Sequence, residues 1–229
     1  MTQALIEAKK IYKNYKSKQQ VKVLSGIDLC INEGSSIAIM GASGEGKTTL
    51  LHILATLEKP DKGEILLNGK NIKPSSFSYI RNNYFGFIFQ GYNLFEDLTA
   101  LENILIPARI ARISTSKKSS SYKKALHLLE EVNLQTKAFS LVKHLSGGEK
   151  QRIAIARAFC NDPKIIFADE PSGNLDHKTS DQIHDIMFRS VSKNNKTLVI
   201  ATHDQELANL CDSIFILKKG LLFPIKTKN

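Results

Sequence analysis

Residues 35–57 read SSIAIMGASGEGKTTLLHILATL, and the order of residue types in this stretch decides the fold. SSIAIMG is a short apolar run ending in glycine, as a buried strand would be, and KTTLLHILATL continues as a helical stretch. Between them residues 41–48, GASGEGKT, fit the pattern G-x-x-x-x-G-K-[ST] in full. Glycines there allow tight turns and let consecutive backbone N–H groups converge on phosphate oxygens, while the helix N-terminus adds a favourable dipole. Lys47 can reach the β- and γ-phosphates of a nucleotide, and the Thr48 hydroxyl can ligate Mg²⁺. The expected nucleotide-binding residues are therefore Gly41, Ala42, Ser43, Gly44, Glu45, Gly46, Lys47, Thr48 and Thr49. Alone, this loop specifies a nucleoside triphosphate and no more. The guanine-reading pattern N-K-x-D is absent, since Asn195-Lys196 is followed by Thr197-Leu198, which weighs against a GTPase of the Ras type.

Outward from the loop, residues 4–34 read as strands with turns. GEILLNGKNI gives a strand closed by an Asn-Gly turn at Asn68 and Gly69, and FGFIFQ, residues 85–90, is a further apolar strand. From there to about residue 160 the character is helical: ALENILIPARIARI and SYKKALHLLEEVNL place apolar residues three and four apart, on either side of a polar loop at residues 114–121. KIIFADE and TLVIATH are buried-type strands flanking an amphipathic helix with Ile183, Ile186, Met187 and Val191, and SIFILKKG supplies a last strand. Strands alternating with helices indicate an α/β protein on a mostly parallel sheet. The early strands suggest a small antiparallel sheet, and the helical block, roughly residues 91–160, an inserted subdomain within one domain of 229 residues.

Four further segments carry a family resemblance. LSGGEKQR, residues 145–152, resembles the signature motif of the ABC ATPases; FADE places Asp169 and Glu170 at the end of a buried strand; Gln90 ends another strand; His203 follows a third in ATHD. In this order the segments are similar to the family's signature, Walker B, Q-loop and switch motifs. The resemblance implies a RecA-like P-loop core, with Thr48, Gln90 and Asp169 holding Mg²⁺. It also implies Glu170 as the base that activates water, and His203 and Gln90 as its catalytic companions. Chemistry supports these roles, because phosphoryl transfer needs charge neutralisation and an aligned water more than covalent help. Ser146, Gly147 and Gly148 precede a helix and read as a second anion-binding N-terminus, about 100 residues from the first. In the family such ends meet across a homodimer that sandwiches two ATP molecules, and Asp176 in SGNLD is similar to the D-loop aspartate at that interface. Tyr15 matches the aromatic that stacks on adenine, although a core or surface tyrosine would look the same. Glu45 departs from relatives that often carry Ser, and an acid there is expected to weaken phosphate binding slightly.

The formal net charge of +10 favours polyanions: nucleic acid, an anionic membrane surface or nucleotide phosphates. Translation-type relatives carry two phosphate loops, and chromosome types separate loop from signature by coiled coils, so direct nucleic-acid binding is disfavoured. The three cysteines, Cys30, Cys160 and Cys211, match no metal spacing and read as small hydrophobes in apolar stretches. His52, His127, His144, His177 and His184 read as structural. No apolar run approaches the roughly 20 residues needed to cross a bilayer. The resemblance thus implies a peripheral ATPase at the cytoplasmic face of the inner membrane, bound to separate membrane-spanning subunits and never touching cargo. The stretch FGFIFQGYNLFEDLTALENILIP with GNLD is most similar to lipoprotein-releasing ATPases, with macrolide-exporter and cell-division branches next. Tyr92, Leu94 and Phe95 would then either receive a membrane partner's helices or belong to the subdomain core.

Overall fold

A computed structural model describes residues 4–16 and 20–227. In chain order its main elements begin with β1 (Ala4–Lys16), β2 (Gln20–Asn32), β3 (Ser36–Met40), α1 (Lys47–Leu54), β4 (Lys62–Leu67), β5 (Lys70–Asn71), α2 (Phe77–Tyr84) and β6 (Phe85–Ile88). The helical stretch follows as α3 (Ala100–Ile110), α4 (Ser120–Glu131) and α5 (Gly147–Ala158). The chain ends through β7 (Ile165–Asp169), α6 (His177–Lys193), β8 (Thr197–Ala201), α7 (Gln205–Asn209), β9 (Ser213–Lys218) and β10 (Leu221–Lys226). Two compact units divide this path, one of residues 1–81 with 197–229 and one of residues 82–196.

The first unit holds two layers of strands. β2, β1, β4 and β5 form the antiparallel sheet expected from the early sequence. Beside one another in the second layer lie β10, β9, β3 and β8, with β3 parallel to both β8 and β9. Every residue of β3 and β8 is buried, the pattern of parallel strands covered on both faces. α1 covers β8 with Leu50, Leu51, Ile53 and Leu54, all inaccessible to solvent. Each such side chain contributes about 1.5–3 kcal/mol by leaving water. The turn at Asn68 and Gly69 has φ of 50° and 71°, the left-handed pair that a tight hairpin requires.

The second unit pairs β6 with β7 in parallel, Ile88 opposite Ala168, and packs α5 against β6, α3, α4 and α6. The apolar stripe of α6 faces inward through Ile183, Ile186, Met187 and Val191. α3 stops at Ile110, three residues short of the periodic run, because Arg112 turns left-handed (φ 58°) and the Ile113 N–H closes on the Ala108 carbonyl at 2.9 Å. The polar loop is shorter than its sequence suggests, since Ser120 and Ser121 already belong to α4 behind the Ser119 cap.

Cys160 and Cys211 are buried as expected, and burial pushes the Cys211 thiol up to about 12. Cys30 is exposed, contrary to the expectation of an apolar setting. Strand alternation explains it: Leu29 and Ile31 point into the core, so Cys30 between them points out. Among the described residues no helix is long and apolar enough to cross a membrane.

β1 is irregular at Lys9 and Lys10, where Lys10 has φ 50° and its N–H donates to Asp28 Oδ1 at 2.9 Å. Gly63 on β4 fills the inside of this bulge with φ 93°, and a Cβ there would collide with the carbonyl oxygens of both lysines. Gly63→Ala therefore destabilises the protein by about 1–3 kcal/mol from the backbone strain alone. Urea unfolding monitored by circular dichroism checks this, and an unchanged midpoint would mean that the bulge simply relaxes.

Candidate functional site

In the first unit, the phosphate loop leaves the buried end of β3 and enters α1. Gly46 caps α1 in a left-handed conformation (φ 98°) with no side-chain hydrogen bond, and a Cβ there would lie 2.5 Å from Val23 Cγ1. A glycine is thus required, and the first-turn N–H groups of α1 receive no capping oxygen from the side chain before them. Lys47 is buried, and its ammonium donates to the carbonyls of Gly41 at 2.9 Å and Ala42 at 3.1 Å, so the cation lies along the loop it serves. Thr48 and Thr49 occupy the first turn of α1. Ala42, Ser43 and Gly44 complete the loop, with Ser43 and Gly44 exposed.

Glu45 turns its carboxylate to the β9–β10 turn, where Oε2 accepts the Lys219 N–H at 2.7 Å. That hydrogen bond gives the departure from Ser a structural task. Tyr15 comes to the same loop: its hydroxyl lies 3.4 Å from Thr49 Oγ1 and donates to the Glu58 carboxylate at 2.7 Å. Lys13 Nζ stands 5.4 Å from the ring centroid and 2.9 Å from Glu58. Burial, and with it the Glu58 carboxylate, raises the Tyr15 pKa, and the ring lies 41% exposed beside the loop. His203 is exposed two residues beyond β8, next to the end of β3, since the Thr202 N–H bonds the Ile39 carbonyl at 3.1 Å.

In the second unit, Asp169 ends the fully buried β7 and is itself 8% exposed. Glu170 follows with φ 42°, a left-handed conformation uncommon for a residue with a side chain and typical of functional turns. Gln90 lies two residues past β6, the strand paired with β7. Gly173 is where the two meet: a Cβ on it would stand 3.4 Å from Gln90 Nε2 and 3.5 Å from Glu170 Cβ. Asn174 Nδ2 donates to the Gln90 carbonyl at 3.0 Å, and buried Gln151 donates to the Pro171 carbonyl. Ser172 Oγ and buried His184 Nε2 are 2.8 Å apart, so His184 is structural in the service of this turn.

Ser146 is the N-cap of α5. Its Oγ accepts the Glu149 N–H at 3.3 Å while Glu149 Oε2 accepts the Ser146 N–H at 2.8 Å, a complete capping box. Asp176 caps α6 in turn, accepting from the Thr179 N–H at 3.1 Å. Ser146, Gly147, Gly148, Asn174 and Asp176 line one cavity of about 360 Å³, which the N-termini of α5 and α6 both face. At the far end of α5, buried Arg157 donates to the carbonyls of Asn93 and, at 2.8 Å, Tyr92. Both residues have positive φ, and burial lowers the guanidinium to about 10, which leaves it charged. Phe95 is 60% exposed and lies outside the core.

Sequence reasoning missed the Arg157 clamp, the Ser172–His184 pair and the role of Gln151. It also passed over the two boxes Thr99-x-x-Glu102 and Ser146-x-x-Glu149, whose spacing could have been read directly.

A family model described as ABC transporter matches residues 24–173. The chain is 51% identical over 219 residues, 96% of each chain, to the lipoprotein-releasing system ATP-binding protein LolD of Protochlamydia amoebophila. It is 45% identical to LolD of Porphyromonas gingivalis, over 96% of this chain and 99% of that one. Among solved structures it is similar to the dimeric bacterial ABC transporter cassette MJ0796, with a TM-score of 0.88 and 35% identity over 98% of this chain and 99% of that one. A post-hydrolysis state of MJ0796 bound to ADP and Pi gives a TM-score of 0.87 at the same identity and coverage. The chain belongs to the ABC transporter family. It binds ATP and is an ATPase subunit of such a transporter.

Accepting the cap N–H holds the Glu149 carboxyl below the usual range, and the Thr99 N–H does the same for Glu102. Because each folded pKa is depressed, the stabilisation is complete above the unfolded value of about 4.3 and is lost as pH falls through the folded value. Changing both residues to Gln keeps an acceptor in each box but removes the titration. The double variant should therefore lose less stability than the parent between about pH 5 and pH 3 in urea unfolding. Equal losses would assign the acid sensitivity to other carboxyls.

Proposed function

We propose that this chain drives the release of lipoproteins from the inner membrane. Within this reading it works as an ATP-sandwich homodimer at the cytoplasmic face, bound to separate membrane-spanning subunits and without contact with the cargo. The observation that carries this reading is the identity to LolD proteins across nearly the whole chain, 51% over 96% of both in one case. The likeness to a dimeric cassette supports the homodimer, as does the cavity that signature and D-loop share. The chain is one nucleotide-binding domain, with the helical subdomain at roughly residues 91–160.

The phosphate loop, residues 41–49, holds the triphosphate, Lys47 reaches the β- and γ-phosphates, and Tyr15 stacks on the base. Thr48, Gln90 and Asp169 supply hydroxyl, amide and carboxylate oxygens, a hard donor set suited to Mg²⁺, and Asp169 has the buried strand end that such a charge justifies. When bound, the ion neutralises charge on the β- and γ-phosphates. Glu170 takes a proton from the attacking water, Gln90 orients that water, and His203 donates to the γ-phosphate. Ser146, Gly147 and Gly148 act on the nucleotide of the opposite copy, with Asp176 at the interface. For Ser146 to donate there, its hydroxyl must leave Glu149 Oε2, now 3.0 Å away.

Glu170→Gln removes the base but keeps the size and hydrogen bonding of the side chain. It should still bind ATP, hydrolyse it about 10²–10⁴-fold more slowly, and elute as a dimer with Mg-ATP in size-exclusion chromatography. Lys47→Ala should bind ATP weakly and stay monomeric. Hydrolysis by Glu170→Gln at close to the parent rate would place the base elsewhere.

The cargo is tested by purifying the subunit with its membrane partners and reconstituting them in proteoliposomes loaded with a lipoprotein. ATP should transfer the lipoprotein to a soluble acceptor. A complex that hydrolyses ATP but releases none would remove the lipoprotein reading and leave the ATPase intact.

A further inference from the structure

Between Glu102 and Glu130 the chain carries six lysines and arginines and no acid. One of the six turns inward: Lys124 lies 4.0 Å from Asp162, and burial lowers its pKa. The other five, Arg109, Arg112, Lys117, Lys118 and Lys123, are exposed, and among the described residues none is within ion-pair distance of a carboxylate. They sit at the end of α3, in the connection that follows and at the start of α4. Two large apolar side chains stand among them in the open, Ile110 at 62% and Ile113 at 48% exposure.

The connection holds these groups in place. Beyond the bond that closes α3, Ser119 Oγ donates to the Ser116 carbonyl at 2.7 Å and caps α4 by accepting the Tyr122 N–H, while Ser121 donates to the Ser114 carbonyl. Arg112 occupies the left-handed position that ends a helix, where glycine fits at no steric cost. The chain places there a long cation whose backbone is strained.

We propose that this edge, Arg109 to Lys123, binds the surface of an anionic phospholipid bilayer, with the cations at the headgroups and Ile110 and Ile113 in the boundary between headgroups and acyl chains. Cations interleaved with exposed aliphatic side chains match a lipid interface, which offers negative charge and an apolar layer within a few ångströms. A nucleic acid offers the charge without the apolar layer, and no exposed aromatic residue lies in this stretch to stack on a base. The inference concerns the chain's own surface and stands apart from the cargo, so it can fail or hold independently of lipoprotein release.

The test is co-sedimentation of the full chain with vesicles. At about 0.1 M salt the chain should bind vesicles containing about 30% phosphatidylglycerol, not pure phosphatidylcholine vesicles, and should be released at about 0.5 M salt. Each cation near such a surface strengthens binding about fivefold. The triple variant Arg112→Gly, Lys117→Ser, Lys118→Ser should therefore bind about 100-fold more weakly, with ATP hydrolysis unchanged. Ile110→Ser with Ile113→Ser should weaken binding while preserving its salt dependence. Because glycine suits position 112, the triple variant keeps the fold, and Lys117→Glu with Lys118→Glu gives a second check in the exposed connection. The proposal is overturned if the parent binds both vesicle types alike or neither. It is also overturned if the triple variant binds as the parent does, or if a single-stranded RNA binds more tightly with the same sensitivity to these variants.

Discussion

A strand buried on both faces can carry polar chemistry only at its ends, and every proposed catalytic group in this protein follows from that constraint. β3, β7 and β8 are buried at all five of their positions. Where β3 runs out, the chain becomes the phosphate loop; where β8 runs out, it reaches Thr202 and His203. β7 ends on Asp169 and passes straight into Glu170, and its partner β6 runs into Gln90. Within each unit parallel pairing puts such ends on the same side, β3 with β8 in the first and β6 with β7 in the second, so residues distant in sequence are delivered together without any attraction between them. In the second unit Gly173 packs beside both Gln90 and Glu170, close enough that a Cβ there would touch the two side chains.

Helix starts divide the polar work differently. α3, α5 and α6 begin on Thr99, Ser146 and Asp176, each of which supplies a side-chain acceptor to the first turn. α1 begins on Gly46, which has none to supply. A ligand phosphate is thus the natural acceptor for α1, whereas α5 and α6 each have one first-turn N–H already bonded to a cap side chain. Anything that engages the Ser146 hydroxyl from outside competes with Glu149 Oε2 for it.

The elements that could be read in the sequence were those with a strong period or a full motif. SSIAIM, KIIFAD and TLVIA have the apolar run of a covered strand, and α6 shows its stripe plainly. The helix α7, at five residues, is too short to display a period. β10 contains Pro224, which argues against a strand and is tolerated because β10 is the outer strand on β9. Cys30 was misjudged because its neighbours are apolar, when strand alternation decides its exposure. Arg157 left no trace, since its carbonyl partners are 64 and 65 residues away. Asp169, Glu170 and His203 stand out in the sequence because each follows an apolar strand, and Ser146 because glycines follow it at a helix start; the residues that brace them do not, because bracing depends on the tertiary contact alone.

The Arg157 clamp has a mechanical consequence. α5 is a rod of 12 residues, about 18 Å long at 1.5 Å per residue. Its C-terminal turn is bolted through a charged fork to the backbone at Tyr92 and Asn93, and its N-terminal turn presents Ser146. The left-handed pair Tyr92 and Asn93 is thus tied by one buried guanidinium to the helix whose other end carries Ser146. The segment that follows β6 and the turn that opens α5 are therefore joined through one continuous helix.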